Sequence, residues 1–249
     1  MWADERTTDQ PMPSISVVIP VYRDADALAR LLDATELGAC EIIVAATDAD
    51  REALAEIRVR RPDVIWIEGT RGRARQMNAG AAAAHGEWIV FLHADTQLGS
   101  GWRRALESAA GDSRVVGGCF RLALDSRAWC ARAIEAGVRW RVRLLRLPYG
   151  DQAIFVRRTV FDEMGGYTDL PLMEDVEFVG RLRRAGRLFA SAVPALTSAR
   201  RWERDGWLRR SASNVLLLMG YFCGVSPERL GRLYNKKYAD QTRVGHPQL

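Results

Sequence analysis

Short apolar runs alternate with amphipathic segments along the first hundred residues. The apolar runs, which predict strands, cover 15–21, 41–46, 64–68 and 88–92. The segments between them have apolar residues three or four positions apart and predict helices over 22–37, 50–60 and 72–85. The runs are continuously apolar, which is typical of strands covered on both faces of a parallel sheet. This alternation predicts an α/β domain with a mostly parallel central sheet flanked by helices.

The pattern becomes less regular beyond residue 95. Strands or extended segments are predicted over 115–124, 153–157 and 188–196. Helices are predicted over 102–110, 128–147, 159–164, 174–185, 214–225 and 227–238. We therefore expect one domain over 14–238 that ends in helices, with a disordered leader over 1–13 and a tail over 239–249.

Polar groups with metal-binding capacity follow one of the apolar runs directly. His93 and Asp95 come after the strand predicted at 88–92, and open α/β sheets bind ligands outside the carboxyl ends of their strands. An imidazole and a carboxylate there suit a divalent metal that is shared with substrate phosphates. The alternative is that Asp95 caps the next turn and His93 packs in the core.

Two further pairs of candidate site residues contain acids. Asp151-Gln152 follows Pro148-Tyr149-Gly150 and is equally consistent with a plain turn. Glu174-Asp175 opens a predicted helix, where acids also stabilise the helix dipole. A carboxylate at such a position could instead remove a proton from an acceptor.

Size and composition are ordinary for a folded soluble protein, with 249 residues, 48% hydrophobic and 27% charged. No apolar run reaches the roughly 18 residues that a membrane span needs, and the acidic N-terminal segment lacks a signal-peptide core. We therefore expect a cytoplasmic protein.

The cysteines have neither paired nor metal-ligand spacing and are expected to be reduced thiols; they are Cys40, Cys119, Cys130 and Cys223.

Charge adds a hint about partners. The net charge is +5, and the basic residues are almost all arginine, since the only lysines are Lys236 and Lys237. Arginine binds phosphate through a two-pronged fork, although a codon bias would produce the same excess. No nucleic-acid partner is expected.

The apolar helix at 214–225 is too short to span a bilayer, so we expect it to pack on the domain or on the twin subunit of a homodimer. The arginines of 128–147 would then give weak peripheral contact with anionic lipid at the inner face of the membrane.

Five strings in the chain follow the order of one enzyme family's motifs. They are Ile19-Pro20-Val21-Tyr22, Asn78-Ala79-Gly80, the segment 86–92 that leads to Asp95, Glu174-Asp175, and Arg201-Trp202. By these strings the chain resembles glycosyltransferase family 2, the inverting nucleotide-sugar-dependent enzymes with a GT-A fold. It is also similar to a bacterial subgroup labelled arsenosugar-biosynthesis or radical-SAM/selenodomain-associated glycosyltransferases. The subgroup's strings appear here as the segment 71–80, the segment 91–96, Pro148-Tyr149-Gly150-Asp151-Gln152, and Met173-Glu174-Asp175.

The resemblance implies a Rossmann-like GT-A domain in which residues 14–100 bind the nucleotide sugar and residues 101–238 bind an unidentified acceptor. Asp95, with His93, would hold Mn²⁺ or Mg²⁺, and Asp175 would be the base, supported by Glu174. The implied nucleotide-sugar-binding residues are Pro20, Tyr22, Arg71, Arg75, Asn78, Asp95 and Arg201. The implied acceptor residues are Asp151, Gln152 and Trp202. A UDP-sugar is the expected donor.

The chain departs from the family pattern at two places. Ala45-Ala46-Thr47 stands where most relatives have an Asp that contacts the nucleotide base, and His93 replaces the first Asp of the metal-binding motif. Neutral imidazole still ligates metals but brings no negative charge. Two rival functions stay open at this point. One is a sugar nucleotidyltransferase, which releases pyrophosphate, and the other is a non-catalytic protein that binds nucleotides or anionic membrane.

Overall fold

The computed structural model describes residues 13–34, 37–38 and 40–239. The leader and tail predicted at the termini therefore lie outside the described residues, except for residues 13 and 239. Within the described part, eight strands form one sheet in the order β3-β2-β1-β4-β7-β6-β8-β5. The strands are β1 (Ile15–Pro20), β2 (Glu41–Thr47), β3 (Ile65–Gly69), β4 (Trp88–Phe91), β5 (Thr96–Leu98), β6 (Val115–Asp125), β7 (Phe155–Arg157) and β8 (Arg187–Ser198).

Helices cover the sheet and complete the C-terminal part. They are α1 (Ala25–Asp33), α2 (Arg51–Arg60), α3 (Arg73–Ala82), α4 (Trp102–Ala110), α5 (Trp129–Leu145), α6 (Arg158–Glu163), α7 (Glu174–Ala185), α8 (Arg200–Asp205), α9 (Trp207–Phe222) and α10 (Pro227–Ala239). Single 3-10 turns occur at Asp48–Asp50 and Gly150–Gln152. The elements predicted for the first hundred residues are confirmed to within a few positions.

The sheet reverses its strand order between β1 and β4. On one side of β1 the sheet continues with β2 and then β3, and on the other side β1 pairs with β4. All four strands are parallel. Beyond β4, strand β7 is antiparallel, and so is its pairing with β6. A crevice forms where the order of parallel strands reverses, and such crevices bind ligands in open α/β sheets. The topology therefore directs attention to the ends of β1 and β4.

Both faces of β4 are buried, as its continuous apolar run predicts. Trp88 and Val90 belong to one core cluster, while Ile89 and Phe91 belong to a second cluster on the other face. Burying each such side chain stabilises the fold by roughly 1.5–3 kcal/mol. Strand β4 is thus a rigid base for the residues that follow it.

Close packing explains the two glycines in β6. A Cβ at Gly118 would lie 2.1 Å from the carbonyl oxygen of Phe189 and 2.4 Å from the ring of Phe155. The register of β6 against β8 also shifts next to Gly117. Both features agree with an irregular strand at this point.

The structure corrects the sequence prediction in the C-terminal part. Helix α9 begins at Trp207 rather than at residue 214, directly after Gly206, whose φ of +86° separates it from α8. Helix α8 and the short strand β5 were not predicted. The expectation that the apolar helix packs on the domain holds for one face only. Leu218 and Tyr221 pack against the core, whereas the residues exposed on the other face are Val215, Leu216, Met219 and Phe222. None of the helices in the described part has the length and apolarity that a bilayer crossing needs.

Candidate functional site

A cavity of about 590 Å³ lies at the carboxyl ends of β1 and β4. It is closed on the other sides by the start of α3, the turn before β7, the start of α7 and residues of α8, α9 and α10. Ten residues selected from the sequence line it: Pro20, Tyr22, Arg71, His93, Asp95, Asp151, Glu174, Asp175, Arg201 and Trp202. Segments that are far apart in the chain therefore converge on one site.

The other three selected residues do not line the cavity. The Nε of Arg75 lies 2.8 Å from Oδ2 of Asp169, and both side chains are about half exposed. Asn78 bonds through Nδ2 and Oδ1 to the backbone of Tyr167, with both distances 2.8 Å. Gln152 is buried, and its Nε2 donates to a carbonyl of β6 at 3.1 Å. These contacts support the walls of the site rather than its interior.

His93 and Asp95 follow β4 directly and enter the cavity together. Burial, reinforced by the guanidinium groups of Arg73 and Arg201, lowers the pKa of His93 well below its usual 6.5. The imidazole is therefore neutral and keeps a lone pair available. The Asp95 side chain is only 9% exposed, and its Oδ2 lies 3.4 Å from Nη2 of Arg200.

Arg200 links two carboxylates at the cavity. Its guanidinium forms an ion pair with Asp24 as well as the longer contact with Asp95. Asp24 also lines the cavity, at the loop that follows β1. The bridge therefore connects the loops after β1 and β4 through a single cation from α8.

The donor set around His93 and Asp95 fits a metal that is shared with substrate. Among the described residues, no group of three or more His, Cys, Asp or Glu side chains is arranged to hold an ion. Magnesium and manganese sites commonly use one or two protein ligands and complete their shell with phosphate oxygens and water. A neutral imidazole beside one carboxylate meets that requirement.

Glu174 and Asp175 occupy different environments although they are neighbours. Glu174 is buried, and its Oε1 lies 3.2 Å from Nη1 of Arg73. Burial raises the pKa of Glu174, and the Arg73 charge opposes that effect. Asp175 is partly exposed, and its Oδ2 accepts a hydrogen bond of 2.8 Å from the backbone N–H of Gly150. Successive helical residues point about 100° apart, so only one of the two acids can face a given reacting atom.

Backbone strain precedes the acidic pair. Met173 has a φ of +68°, in the left-handed region, directly before α7. That conformation costs a residue other than glycine roughly 1–2 kcal/mol. Strain of this kind concentrates at functional sites, where the surrounding structure holds it in place.

Asp151 is a partly buried carboxylate with an unused oxygen. Its Oδ1 is enclosed and has no hydrogen-bond partner among the described residues. Burial raises the pKa of Asp151 to about 6, with Arg141 opposing the shift and Asp175 adding to it. The backbone carbonyl of Asp151 accepts a hydrogen bond of 3.0 Å from Oγ1 of Thr197 in β8. Asp151 thus lines the cavity with one carboxylate oxygen left without a hydrogen bond from the described residues.

Tyr22 and Arg71 meet at the cavity, as expected for two residues of one binding site. The Arg71 guanidinium lies 4.4 Å from the centroid of the Tyr22 ring. Such a cation–π contact holds both side chains in place while the guanidinium edge remains able to bind phosphate.

Sequence reasoning missed several residues that line the cavity. Arg73 and Gln76 lie three positions apart in α3 and therefore on one face, a spacing that could have indicated them. The Nε2 of Gln76 donates to the carbonyls of Val21 and Ala45, at 2.6 Å and 2.8 Å. The cavity residues from α9 and α10 had no signal in the sequence; they are Arg210, Asn214, Leu217 and Tyr234.

Comparisons with known proteins show the family to which the chain belongs. A family model described as "Glycosyl transferase family 2" matches residues 16–168, which is more than half of the chain. The probable glycosyltransferase YdaM of Bacillus subtilis (strain 168) is 22% identical over 260 residues, covering 90% of this chain and 61% of that protein. An undecaprenyl-phosphate 4-deoxy-4-formamido-L-arabinose transferase of Pseudomonas aeruginosa (strain LESB58) is 27% identical over 169 residues, covering 62% and 50%. The chain therefore spans about half to three fifths of the length of these relatives.

Two solved structures share the fold. The mannosyltransferase PcManGT from Pyrobaculum calidifontis, in complex with GDP-Man and Mn²⁺, superposes with a TM-score of 0.56 at 19% identity and covers 91% of this chain and 69% of its own. Residues 1–349 of S. aureus TarS, in complex with UDP-GlcNAc, superpose with a TM-score of 0.55 at 14% identity, covering 74% and 58%. At these identities the likeness concerns the fold, and it confirms the expected GT-A architecture.

Proposed function

Because this chain belongs to glycosyl transferase family 2, we propose that its cavity transfers a sugar from a nucleoside-diphosphate sugar to an acceptor nucleophile, with inversion at the anomeric carbon. The observation that supports this most strongly is the position of Asp175. Its carboxylate lines the cavity and is oriented by the Gly150 N–H, while the neighbouring Glu174 is occupied by Arg73. The family membership and this geometry together favour transfer over the two rival functions.

The cavity suits an anionic donor. Arginines from separate elements line it. Arg71 and Arg201 supply positive charge for a diphosphate, whereas Arg73 and Arg210 also pair with Glu174 and Asp205. The GDP-Man and UDP-GlcNAc in the two similar structures support a nucleotide sugar as the donor class. We propose a UDP-sugar for this chain.

Asp95 and His93 would hold a divalent metal, which when bound supplies positive charge beside the leaving diphosphate. The Mn²⁺ in the similar mannosyltransferase structure supports this choice. The neutral state of His93 is the form that binds a metal. The arginines near it would share the task of neutralising the phosphates.

Asp175 would act as the general base. The acceptor hydroxyl loses its proton to this carboxylate as its oxygen forms a bond to the anomeric carbon. The bond from that carbon to the nucleoside diphosphate breaks, and the diphosphate leaves with the electron pair. A single displacement of this kind inverts the configuration. Asp151 and Trp202 line the same cavity and would contact the acceptor.

The narrower likeness to the arsenosugar-biosynthesis subgroup is also a proposal. Its support is the position of two of the strings that carry it: one supplies Tyr149 and Asp151 to the cavity, and the other supplies Glu174 and Asp175. Donor binding and release of the nucleoside diphosphate can be measured without knowing the acceptor.

The proposal is tested with purified protein and a panel of UDP-sugars and GDP-sugars, each with and without Mn²⁺. Binding is measured by thermal shift, because a ligand at a hundred times its Kd stabilises the folded state by about 2.7 kcal/mol. Turnover is measured as release of nucleoside diphosphate. We expect one sugar nucleotide to bind and to be slowly hydrolysed or transferred. Pyrophosphate release from a nucleoside triphosphate and a sugar phosphate would identify a nucleotidyltransferase instead, and tight binding without any release would identify a binding protein.

A further inference from the structure

Helix α5 carries an exposed apolar stripe beside a row of arginines. Trp129, Trp140 and Leu144 are 76%, 62% and 68% exposed, and their spacing places them on one side of the helix. An adjacent row, also exposed, consists of Arg139, Arg143 and Arg146. None of these three arginines forms an ion pair within the described part of the chain. The helix is amphipathic, but its apolar side faces solvent.

Helix α9 also has an apolar face that is exposed to solvent. One face of it lines the cavity through Asn214 and Leu217. The opposite face is apolar and exposed, with five residues that are between 55% and 81% exposed: Leu208, Val215, Leu216, Met219 and Phe222. Contiguous exposed apolar surface of this kind marks an interaction site in proteins that are otherwise well packed.

The two helices lie side by side. The inner side of α5 clusters with Trp202 of α8 and with Trp207 at the start of α9. At the other ends, Arg146 and Phe222 line one cavity of about 470 Å³. The helices therefore contact each other and end at the same cavity, and we take their exposed stripes together as one surface. We call it the α5–α9 face.

The two helices of this face carry exposed basic residues and no exposed acidic ones. The only acidic residue in α5 is Glu135, which is buried, and α9 contains none. The cavity at the ends of the two helices is also basic, because α7 contributes Arg183 and Arg184 to it beside Arg146. Its one acid is already neutralised, since Glu177 is paired with Arg181 at 2.6 Å. An anionic group therefore meets only attraction at this end of the face.

We propose that the α5–α9 face docks on the surface of an anionic phospholipid bilayer. Its apolar stripes enter the boundary between headgroups and acyl chains, where amphipathic helices insert to a depth of roughly 5–10 Å. The two exposed tryptophans suit that boundary because their rings are apolar and their N–H groups are polar. The arginine row and the basic cavity bind lipid phosphates.

Charge complementarity favours a bilayer over a second copy of this chain. In a two-fold dimer through this face, the same patch of each copy meets its counterpart, so the arginines of both copies would be enclosed in one interface. The face has no exposed acid on α5 or α9 that could pair with them. An anionic lipid surface offers the missing negative charge and also covers the apolar side chains.

The test is co-sedimentation of the full chain with vesicles of phosphatidylcholine alone and of phosphatidylcholine mixed with phosphatidylglycerol. We expect binding to the mixed vesicles that weakens as salt rises, because screening shortens the reach of the charges. One variant combines Arg139→Glu with Arg143→Glu, and another combines Trp140→Ser with Leu216→Ser. Each should lower vesicle affinity at least about tenfold. None of these residues lines the proposed catalytic cavity, so binding of a sugar nucleotide should be unchanged.

The matched controls are exposed residues on helices outside the α5–α9 face. Val59→Ser removes an apolar side chain that is 82% exposed on α2, and Arg104→Glu reverses an exposed charge on α4. Both should bind vesicles as the parent does. Equal loss in the controls, equal binding to neutral vesicles, or no change in the two variants would overturn the proposal. A dimer in sedimentation velocity that the two variants dissociate would show that a second copy occupies the face instead. Vesicle binding requires no turnover, so its outcome is independent of the proposed function.

Discussion

The carboxylate of Glu174 and the guanidinium of Arg73 form an ion pair of 3.2 Å between residues that are 101 positions apart in the chain. This pair occupies Glu174 at the first position of α7. Both acids line the cavity, but an arginine holds Glu174, whereas a backbone N–H from Gly150 holds Asp175 in place. The division of roles between two adjacent acids thus depends on what each one contacts.

The first prediction compares these two acids. Asp175→Asn should keep donor and metal affinity but lower transfer by about a hundred- to ten-thousand-fold, the usual contribution of a positioned base. Glu174→Gln should keep more of the turnover and should mainly raise the acceptor KM, because it disturbs the pair with Arg73 and not the base. Steady-state kinetics with donor-binding calorimetry measure both. Full turnover in Asp175→Asn together with collapse in Glu174→Gln would reverse the roles.

The second prediction concerns Gly150, which lies between His93 and Asp175. A Cβ at Gly150 would approach Nε2 of His93 to 2.9 Å and Oδ2 of Asp175 to 3.6 Å. Gly150→Ala should therefore displace the imidazole and lower turnover roughly a hundredfold, as small misplacements of reacting groups do. The matched control is Gly137→Ala in α5, where an added Cβ meets nothing within 4 Å. That variant should be more stable by about 0.4–1 kcal/mol with unchanged turnover. Similar turnover in the two alanine variants would contradict the prediction.

The third prediction follows from the raised pKa of Asp151, about 6 in the folded protein against 3.8 ordinarily. Between these values the folded state retains a proton that the unfolded state releases. The contribution of Asp151 to stability therefore falls as pH rises through this window, by roughly 3 kcal/mol in total. Asp151→Asn removes that loss, so the variant should gain stability relative to the parent as pH rises from about 4 to about 7. Urea unfolding at several pH values measures the difference, and parallel pH profiles for the two proteins would show that the prediction is wrong.

The fourth prediction tests the metal ligand. Asp95→Ala should abolish the Mn²⁺-dependent part of donor affinity and leave the fold intact, since the residue lies at a strand end and outside the core clusters. Asp24→Ala is the matched control, because it releases the same Arg200 guanidinium without removing the proposed ligand. Calorimetry with UDP and Mn²⁺ and direct Mn²⁺ binding by electron paramagnetic resonance measure both variants. Parental affinity for UDP and Mn²⁺ in Asp95→Ala would refute the assignment.

The sequence by itself determined the first half of the fold and pointed to ten of the residues that line the cavity. Continuous apolar runs such as 88–92 specify buried strands because a strand with helices on both faces needs no polar side. The polar residues after such runs were placed correctly, since the ends of parallel strands meet at one edge of the sheet. His93 and Asp95 line the cavity for this reason, whereas Asp175 reaches it from the start of α7.

The tertiary structure alone decided the partners of these residues and the surroundings of α9. Periodicity reports which side of a helix is apolar, but it contains no information about contacts between distant segments. The pairing of Arg73 with Glu174, the bond from Gly150 to Asp175 and the placement of Arg75 outside the cavity all depend on such contacts. From its sequence, an apolar helix is predicted to be buried, because most helices of this kind are buried in folded proteins. In α9 the neighbouring helices α5, α8 and α10 leave one face uncovered, and that face stays open because the described fold has no further layer to cover it.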